Sequence, residues 1–405
     1  MTRLFSLLLA IALLAAPAFA ARPDAPAPDA PGPYSVGNSQ YEIVDPSRAD
    51  RPLPLQVWYP VDPGDEGDTS AFYPLLAALG IPSPLATVDP PVSDERGRAL
   101  IVFSHGSGGF NIQSINLCET LASHGFIVAA PNHTGNTTTD SSAPFLQSAA
   151  DRPQDVSFVI DHMLARSATL GDAFEGRVRH KGFGVAGHSF GGYTALAMAS
   201  GWTTIPADPR VSAIMPIAPA SGLFTDAELQ SIRRPVMLLS GTFDTTTPIV
   251  DNTTRPASLI PSPMVYRADV LTATHTHFAN ICDIADALIN AGITPDLWAV
   301  IGAAALTQPY LETCVPPAFP LVEAQRIQNL YAVSFFRRHL LADRRYSDYL
   351  TLRYASENEP DVVFFSATSR CGIGFELAFV IVPMAAVRRR VQRRRRLGSG
   401  YSRTP

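Results

Sequence analysis

Along this chain, short apolar runs alternate with stretches whose apolar residues recur at helical spacing. Leu55-Gln56-Val57-Trp58-Tyr59 alternates as an outer strand does, whereas residues 99–103 and 126–130 are continuously apolar, the pattern of strands covered on both faces. The same reading gives strands at 181–186, 211–215, 236–239 and 264–270. Helices are expected over residues 112–123, stopped by Gly125, over 154–166 and 193–199, and a last one over 321–341. Strand and helix in alternation predict an α/β protein: a doubly wound, mostly parallel sheet with helices on both faces. Ligands on such sheets bind outside the carboxyl ends of the strands. The chain shows no internal repeat.

One strand-to-helix junction carries chemistry. Gly187-His188-Ser189-Phe190-Gly191-Gly192 joins the strand at 181–186 to the helix at 193–199. A G-x-S-x-G in that setting is a nucleophile elbow, a tight turn that holds the serine in a strained conformation with its hydroxyl exposed. Glycine on either side lets strand and helix pass closely. The helix that starts there aims unpaired N–H groups at the space where an oxyanion would form.

A serine hydroxyl needs a base, and the base needs an acid to fix its tautomer. On this architecture both follow the serine, acid first. Asp244 stands in a polar turn just past the strand ending at Leu239; Asp226 and Asp251 follow no strand directly and are weaker choices. The loop after residues 264–270 reads Thr274-His275-Thr276-His277-Phe278-Ala279-Asn280. Two histidines two apart in an extended loop point in opposite directions, so one of them faces Ser189. The oxyanion needs two N–H donors: Phe190, directly after the serine, and Ser107 in the loop Ser104-His105-Gly106-Ser107-Gly108-Gly109-Phe110. His339 reads as a solvated helical histidine. No C-x-x-C or H-E-x-x-H pattern suggests a metal site, and the chemistry requires no cofactor.

These blocks resemble known families. Val102-Phe103-Ser104-His105-Gly106, the run from Leu121 to Ala130 and Gly187–Gly192 resemble the plasma-type platelet-activating factor acetylhydrolases and the bacterial dienelactone-hydrolase-like and polyester hydrolases. The resemblance covers roughly residues 40–280 and implies an α/β-hydrolase fold. The acetylhydrolase pattern H-x-x-F-A-[D/N] selects His275 as the base; cutinase-like relatives, with histidine directly before Phe-Ala, would select His277. One departure is clear. The plasma enzymes place their acid after the strand following the nucleophile helix, and the matching segment, Ile217 to Gly222, holds no carboxylate. The acid then follows the later strand, as in the polyester hydrolases, which again selects Asp244. The resemblance implies a serine hydrolase acting on carboxylic esters: short-acyl esters, or more narrowly acetylated phospholipids or polyesters. A peptidase on the same fold and a silent surface-binding protein are the rival readings. The long stretch between His275 and the last helix, with a helix at 281–289 and an apolar run at 298–306, is a candidate roof for the pocket.

Both ends carry their own signals. Arg3, the apolar residues 4–16 and Ala18-Phe19-Ala20 have the three parts of a secretory signal peptide over residues 1–20. Residues 21–33 are proline-rich and expected to form an extended spacer before the catalytic domain, taken as 34–350. In the tail, residues 371–396, Cys371-Gly372-Ile373-Gly374 leads into an apolar stretch through Val387 and then two arginine clusters. This resembles bacterial C-terminal sorting signals, which a membrane enzyme processes; a plain membrane anchor is the equal alternative, although Glu376 and Pro383 weaken a spanning helix. The expected location is periplasmic, cell-surface or secreted, with membrane contact through the C-terminal segment.

Charge and cysteines refine this picture. The formal charge is −5, but residues 371–405 hold eight of the 31 basic residues and one of the 36 acidic ones. The rest of the chain therefore carries 23 basic and 35 acidic residues, a charge of −12, which argues against a nucleic-acid partner. Of the four cysteines, Cys282 and Cys314 flank the helical stretch after His275 and are the expected disulfide in an oxidising compartment.

Overall fold

The computed structural model describes residues 25–76 and 79–367. The signal peptide and the segment 371–396 lie outside the described residues. The strands are β1 (Ser35–Asp45), β2 (Arg51–Val61), β3 (Ser70–Leu76), β4 (Leu79–Val88), β5 (Leu100–Ser104), β6 (Ile127–Pro131), β7 (Phe183–His188), β8 (Val211–Ile217), β9 (Val236–Gly241), β10 (Val265–Val270) and β11 (Val362–Ser366). They form one sheet in the order β11-β10-β9-β8-β7-β5-β6-β2-β1-β4-β3. The six strands from β6 to β10 are mutually parallel, and antiparallel strands flank them on both sides.

The helices are α1 (Ile115–Ser123), α2 (Phe145–Ala168), α3 (Phe190–Ser200), α4 (Asp226–Ser231), α5 (Arg255–Leu259), α6 (Ile281–Asn290), α7 (Thr307–Thr313), α8 (Leu321–Leu340) and α9 (Leu352–Asn358). Two cores sandwich the sheet because successive strand residues point to opposite faces. In β5, Ile101 and Phe103 join Leu117 and Leu121 of α1 and Leu330 and Phe336 of α8. Leu100 and Val102 turn the other way, onto Val156 and Ile160 of α2 and Leu196 of α3. Strands walled on both faces have no polar side, which is why β5, β6 and β7 read as unbroken apolar runs.

Four expectations need correcting. β2 is not an outer strand, because β1, β4 and β3 extend the sheet beyond it and bury Leu55 through Val61. α2 begins at Phe145 and contains Pro153. Proline cannot donate to the carbonyl four residues back; that carbonyl, on Ala149, instead accepts the Tyr193 hydroxyl of α3 at 3.0 Å. The sheet also continues past residue 350, since β11 pairs antiparallel with β10. Finally, residues 25–33 do not form a free spacer. The Ala30 carbonyl accepts from His124 Nε2 at 2.9 Å, Gly32 N–H donates to Ser123 Oγ at 2.8 Å, and Asp29 pairs with Arg326 at 2.9 Å.

Candidate active site

β7 runs into α3 through Ser189, which adopts φ 58° and ψ −117°. A side-chain-bearing residue at positive φ is strained and persists only where its surroundings hold it. Here Ser189 N–H donates to the Ile217 carbonyl of β8 at 2.8 Å, and its own carbonyl accepts from Ala220 at 3.2 Å. The flanking glycines are steric necessities: a Cβ on Gly191 would lie 1.8 Å from the Ser104 carbonyl oxygen, and one on Gly187 2.3 Å from that of Gly191.

Asp244 and His275 come together on the loops after β9 and β10, with His275 Nδ1 2.8 Å from Asp244 Oδ2. The carboxylate is saturated. Oδ1 accepts the N–H groups of Thr246 at 2.9 Å and Thr247 at 2.7 Å, and Oδ2 lies 2.8 Å from the Thr247 hydroxyl. Burial alone would raise the Asp244 pKa, but the hydrogen bond and charge of His275 and the Thr247 N–H and hydroxyl hold it below its ordinary value.

The histidine loop is not extended: residues His275–Phe278 form a 3-10 turn. His275 packs at a tilt against His188, the residue before Ser189, with ring centroids 4.6 Å apart. His277 is fully buried and turned elsewhere. Its Nδ1 accepts from Thr274 N–H at 2.9 Å and its Nε2 lies 3.0 Å from the Phe319 carbonyl, so both ring nitrogens are occupied. Asp226 pairs with Arg255, and His339 packs on Tyr266.

Phe190 is the first residue of α3, and its ring stacks on that of Phe145 at 4.9 Å. The loop holding Ser107 lies close by; a Cβ on Gly106 would come within 3.4 Å of Ser189 Cβ. Ser107 itself is exposed. Gln113 ties the pieces together. Its Oε1 accepts from Gly106 N–H and its Nε2 donates to His188 Nδ1, each at 2.8 Å, while its carbonyl accepts from Asn280 N–H at 2.8 Å. His188 then gives its Nε2 proton to the His275 carbonyl at 2.9 Å. Burial pulls the His188 pKa down to about 3, so the imidazole is a neutral linker.

A second Ser-His-Asp chain lies beneath the site. Ser104 Oγ is 2.8 Å from His133 Nε2, and His133 Nδ1 is 2.9 Å from Asp155 Oδ2. All three side chains are fully buried, so the chain is a brace and meets no substrate. Burial lowers the His133 pKa to about 4. Burial would raise that of Asp155, but hydrogen bonds from His133 and Arg51 bring it to about 2. Sequence reasoning missed Gln113, His133, Arg152 and Asp155. A polar trio just after β6 (Asn132, His133 and Thr134) and an Arg–Asp pair three apart on one helix face were the only signals.

Residues 281–314 have their own small core of Ala285, Leu288 and Trp298. A Cys282–Cys314 disulfide closes this segment, and Thr313 Oγ1 lies 2.6 Å from Thr276 Oγ1 in the histidine turn. Among the described residues, no group of three or more His, Cys, Asp or Glu side chains is placed to hold a metal, and no helix is long and apolar enough to cross a membrane.

Residues 75–250 match the model of the chlorophyllase family. The matched segment spans Ser107, Ser189 and Asp244 and ends before the histidine turn. With its mostly parallel sheet and its strained serine at the turn from β7 into α3, the chain has an α/β-hydrolase fold, and over the matched segment it is similar to the chlorophyllase family.

Proposed function

We propose that this protein is an exported serine hydrolase that cleaves carboxylic esters through an acyl-enzyme. The observation that carries the reading is the Asp244–His275 pair, packed through His188 against a serine at positive φ. With Nδ1 bound to Asp244, His275 has Nε2 left to take the Ser189 proton as Oγ attacks the ester carbonyl. The N–H groups of Phe190 and Ser107 receive the oxyanion. Collapse breaks the ester bond, and the alkoxide leaves with the proton held on His275. Water, deprotonated by the same nitrogen, then attacks the acyl carbon and frees Ser189. His277 takes no part, since both its nitrogens are engaged.

Short-acyl esters are the default substrates, with acetylated phospholipids or polyesters as narrower choices. Half-exposed Phe145, stacked on Phe190, and exposed Phe243, next to Asp244, supply apolar surface beside the site. The disulfide supports an oxidising compartment and so the reading of residues 1–20 as an export signal. The C-terminal segment then acts as a membrane anchor or as the substrate of a processing enzyme.

A fluorophosphonate probe tests the reading, with Ser189→Ala as control, alongside p-nitrophenyl esters of rising chain length. Labelling of the wild type alone, with ester turnover, is expected. A folded wild type that takes no label would leave the silent binding protein. Peptide anilides cleaved faster than any ester would favour the peptidase.

A further inference from the structure

Arg152 is fully buried in α2, and among the described residues no carboxylate pairs with it. A buried guanidinium with no carboxylate in contact is costly, even with the charge of buried Asp155 one turn along α2 acting on it, so its surroundings must hold it by hydrogen bonds. Its Nη1 donates to the His105 carbonyl at 2.5 Å and to Ser104 Oγ at 3.3 Å, and its Nη2 donates to the Gly106 carbonyl at 2.9 Å and to Asn136 Oδ1 at 2.7 Å. The guanidinium carbon lies over the Phe190 ring, 4.6 Å from its centroid.

Two successive peptide units are therefore pinned. In the first, the His105 carbonyl is held by Arg152 and the Gly106 N–H by Gln113 Oε1 at 2.8 Å. In the second, the Gly106 carbonyl takes Arg152, Gly109 N–H at 3.1 Å and His105 Nδ1 at 2.7 Å. A trans peptide points its C=O and N–H in opposite directions. With the Gly106 carbonyl drawn inward by three donors, the Ser107 N–H must point outward, away from Arg152. No acceptor for that N–H is found among the described residues. A cation on the carbonyl also polarises the amide and strengthens its N–H as a donor.

We propose that Arg152 is a positioning residue of the oxyanion hole, fixing and polarising the Gly106–Ser107 peptide while bracing the Phe190 ring on the other side. The proposal rests on the ester-hydrolase reading of Ser189. Asn136, which accepts from both Nε and Nη2 of Arg152, sets the angle of the fork.

The test is Arg152→Met, with Arg152→Lys as the variant that keeps the charge if the first does not fold, and Asn136→Ala as a third. Each is compared with the wild type by thermal melting, by kcat and KM on p-nitrophenyl acetate, and by inhibition with an alkyl trifluoromethyl ketone and its parent alcohol. The ketone forms an oxyanion on the serine; the alcohol does not. The expected result for R152M is a fall in kcat of about 10–100-fold with KM little changed, somewhat below the loss of a whole oxyanion donor. Ketone affinity should fall by the same factor while alcohol affinity holds. R152K, unable to bridge two carbonyls and Asn136 at once, should show the same pattern. A folded R152M or R152K with kcat within threefold of wild type overturns the proposal, as does equal weakening of ketone and alcohol. A wild type that neither turns over ester nor binds the ketone instead sinks the ester-hydrolase reading itself.

Discussion

Asp244→Asn is the sharpest test of the site, because the structure dictates which way the amide must face. Oδ1 accepts two backbone N–H groups, from Thr246 and Thr247, and an NH2 group cannot take that place without setting donor against donor. The amide oxygen therefore keeps the Oδ1 position, and the NH2 group falls opposite His275 Nδ1, 2.8 Å away. Nδ1 must then accept a hydrogen bond, so the neutral ring carries its proton on Nε2 and cannot take the one on Ser189. Inverting the tautomer in a Ser-His-Asp site lowers kcat by about 10⁴-fold, roughly 5 kcal/mol of transition-state stabilisation. Stability should change little, since the backbone contacts at Oδ1 survive. The assay is steady-state hydrolysis of p-nitrophenyl acetate, paired with thermal melting to show that the variant is folded. A folded D244N keeping more than about a tenth of wild-type kcat would refute both the tautomer argument and the assignment of the acid.

Other outcomes follow from the same geometry. Glu119 is buried, with Tyr73 and Ser83 hydroxyls each 2.5 Å from Oε1; burial raises its pKa to about 7, against the partial offset of those hydrogen bonds. Its stabilising contribution is thus full below its ordinary value of 4.5 and lost as pH rises through about 7, so Glu119→Gln should flatten the urea midpoint between pH 5 and 7.5 relative to wild type, by on the order of 2 kcal/mol. Gly191→Ala should give insoluble or unfolded protein, since its Cβ would sit 1.8 Å from a carbonyl oxygen; a soluble, labelled G191A would contradict the close approach of α3 and the Ser104 loop. Replacing Cys282 and Cys314 by serine opens a link across 32 residues and should cost about 3–4 kcal/mol in chemical denaturation, with proteolysis confined first to residues 282–314. An unchanged denaturation midpoint would show that this segment is held by its packing alone.

The amino-acid sequence by itself determined the central strands and the tight turn at Ser189, and it pointed to the loop of Asp244. Those features are local: an unbroken apolar run reports burial on both faces, and the glycines around Ser189 report a backbone contact that only a missing Cβ permits. The choice between His275 and His277 was not local. It depends on which ring nitrogens are consumed by Asp244 and which by Thr274 and Phe319, partners 31, 3 and 42 residues away in the chain. β1 and β4 were also illegible, because polar residues, glycine and proline break their apolar signal, whereas β11 is a short apolar run, Val362 to Phe365, that the reading of the chain passed over. The layer beneath the site belongs wholly to the tertiary structure. Arg152, Asn136, His133, Asp155 and Gln113 are ordinary polar residues in the linear chain, and they meet around the loop after β5 only because α2, which lies between β6 and β7 in the chain, packs against β5. A buried polar group must find its partners wherever the packed elements bring them, and no period in the sequence records that distance.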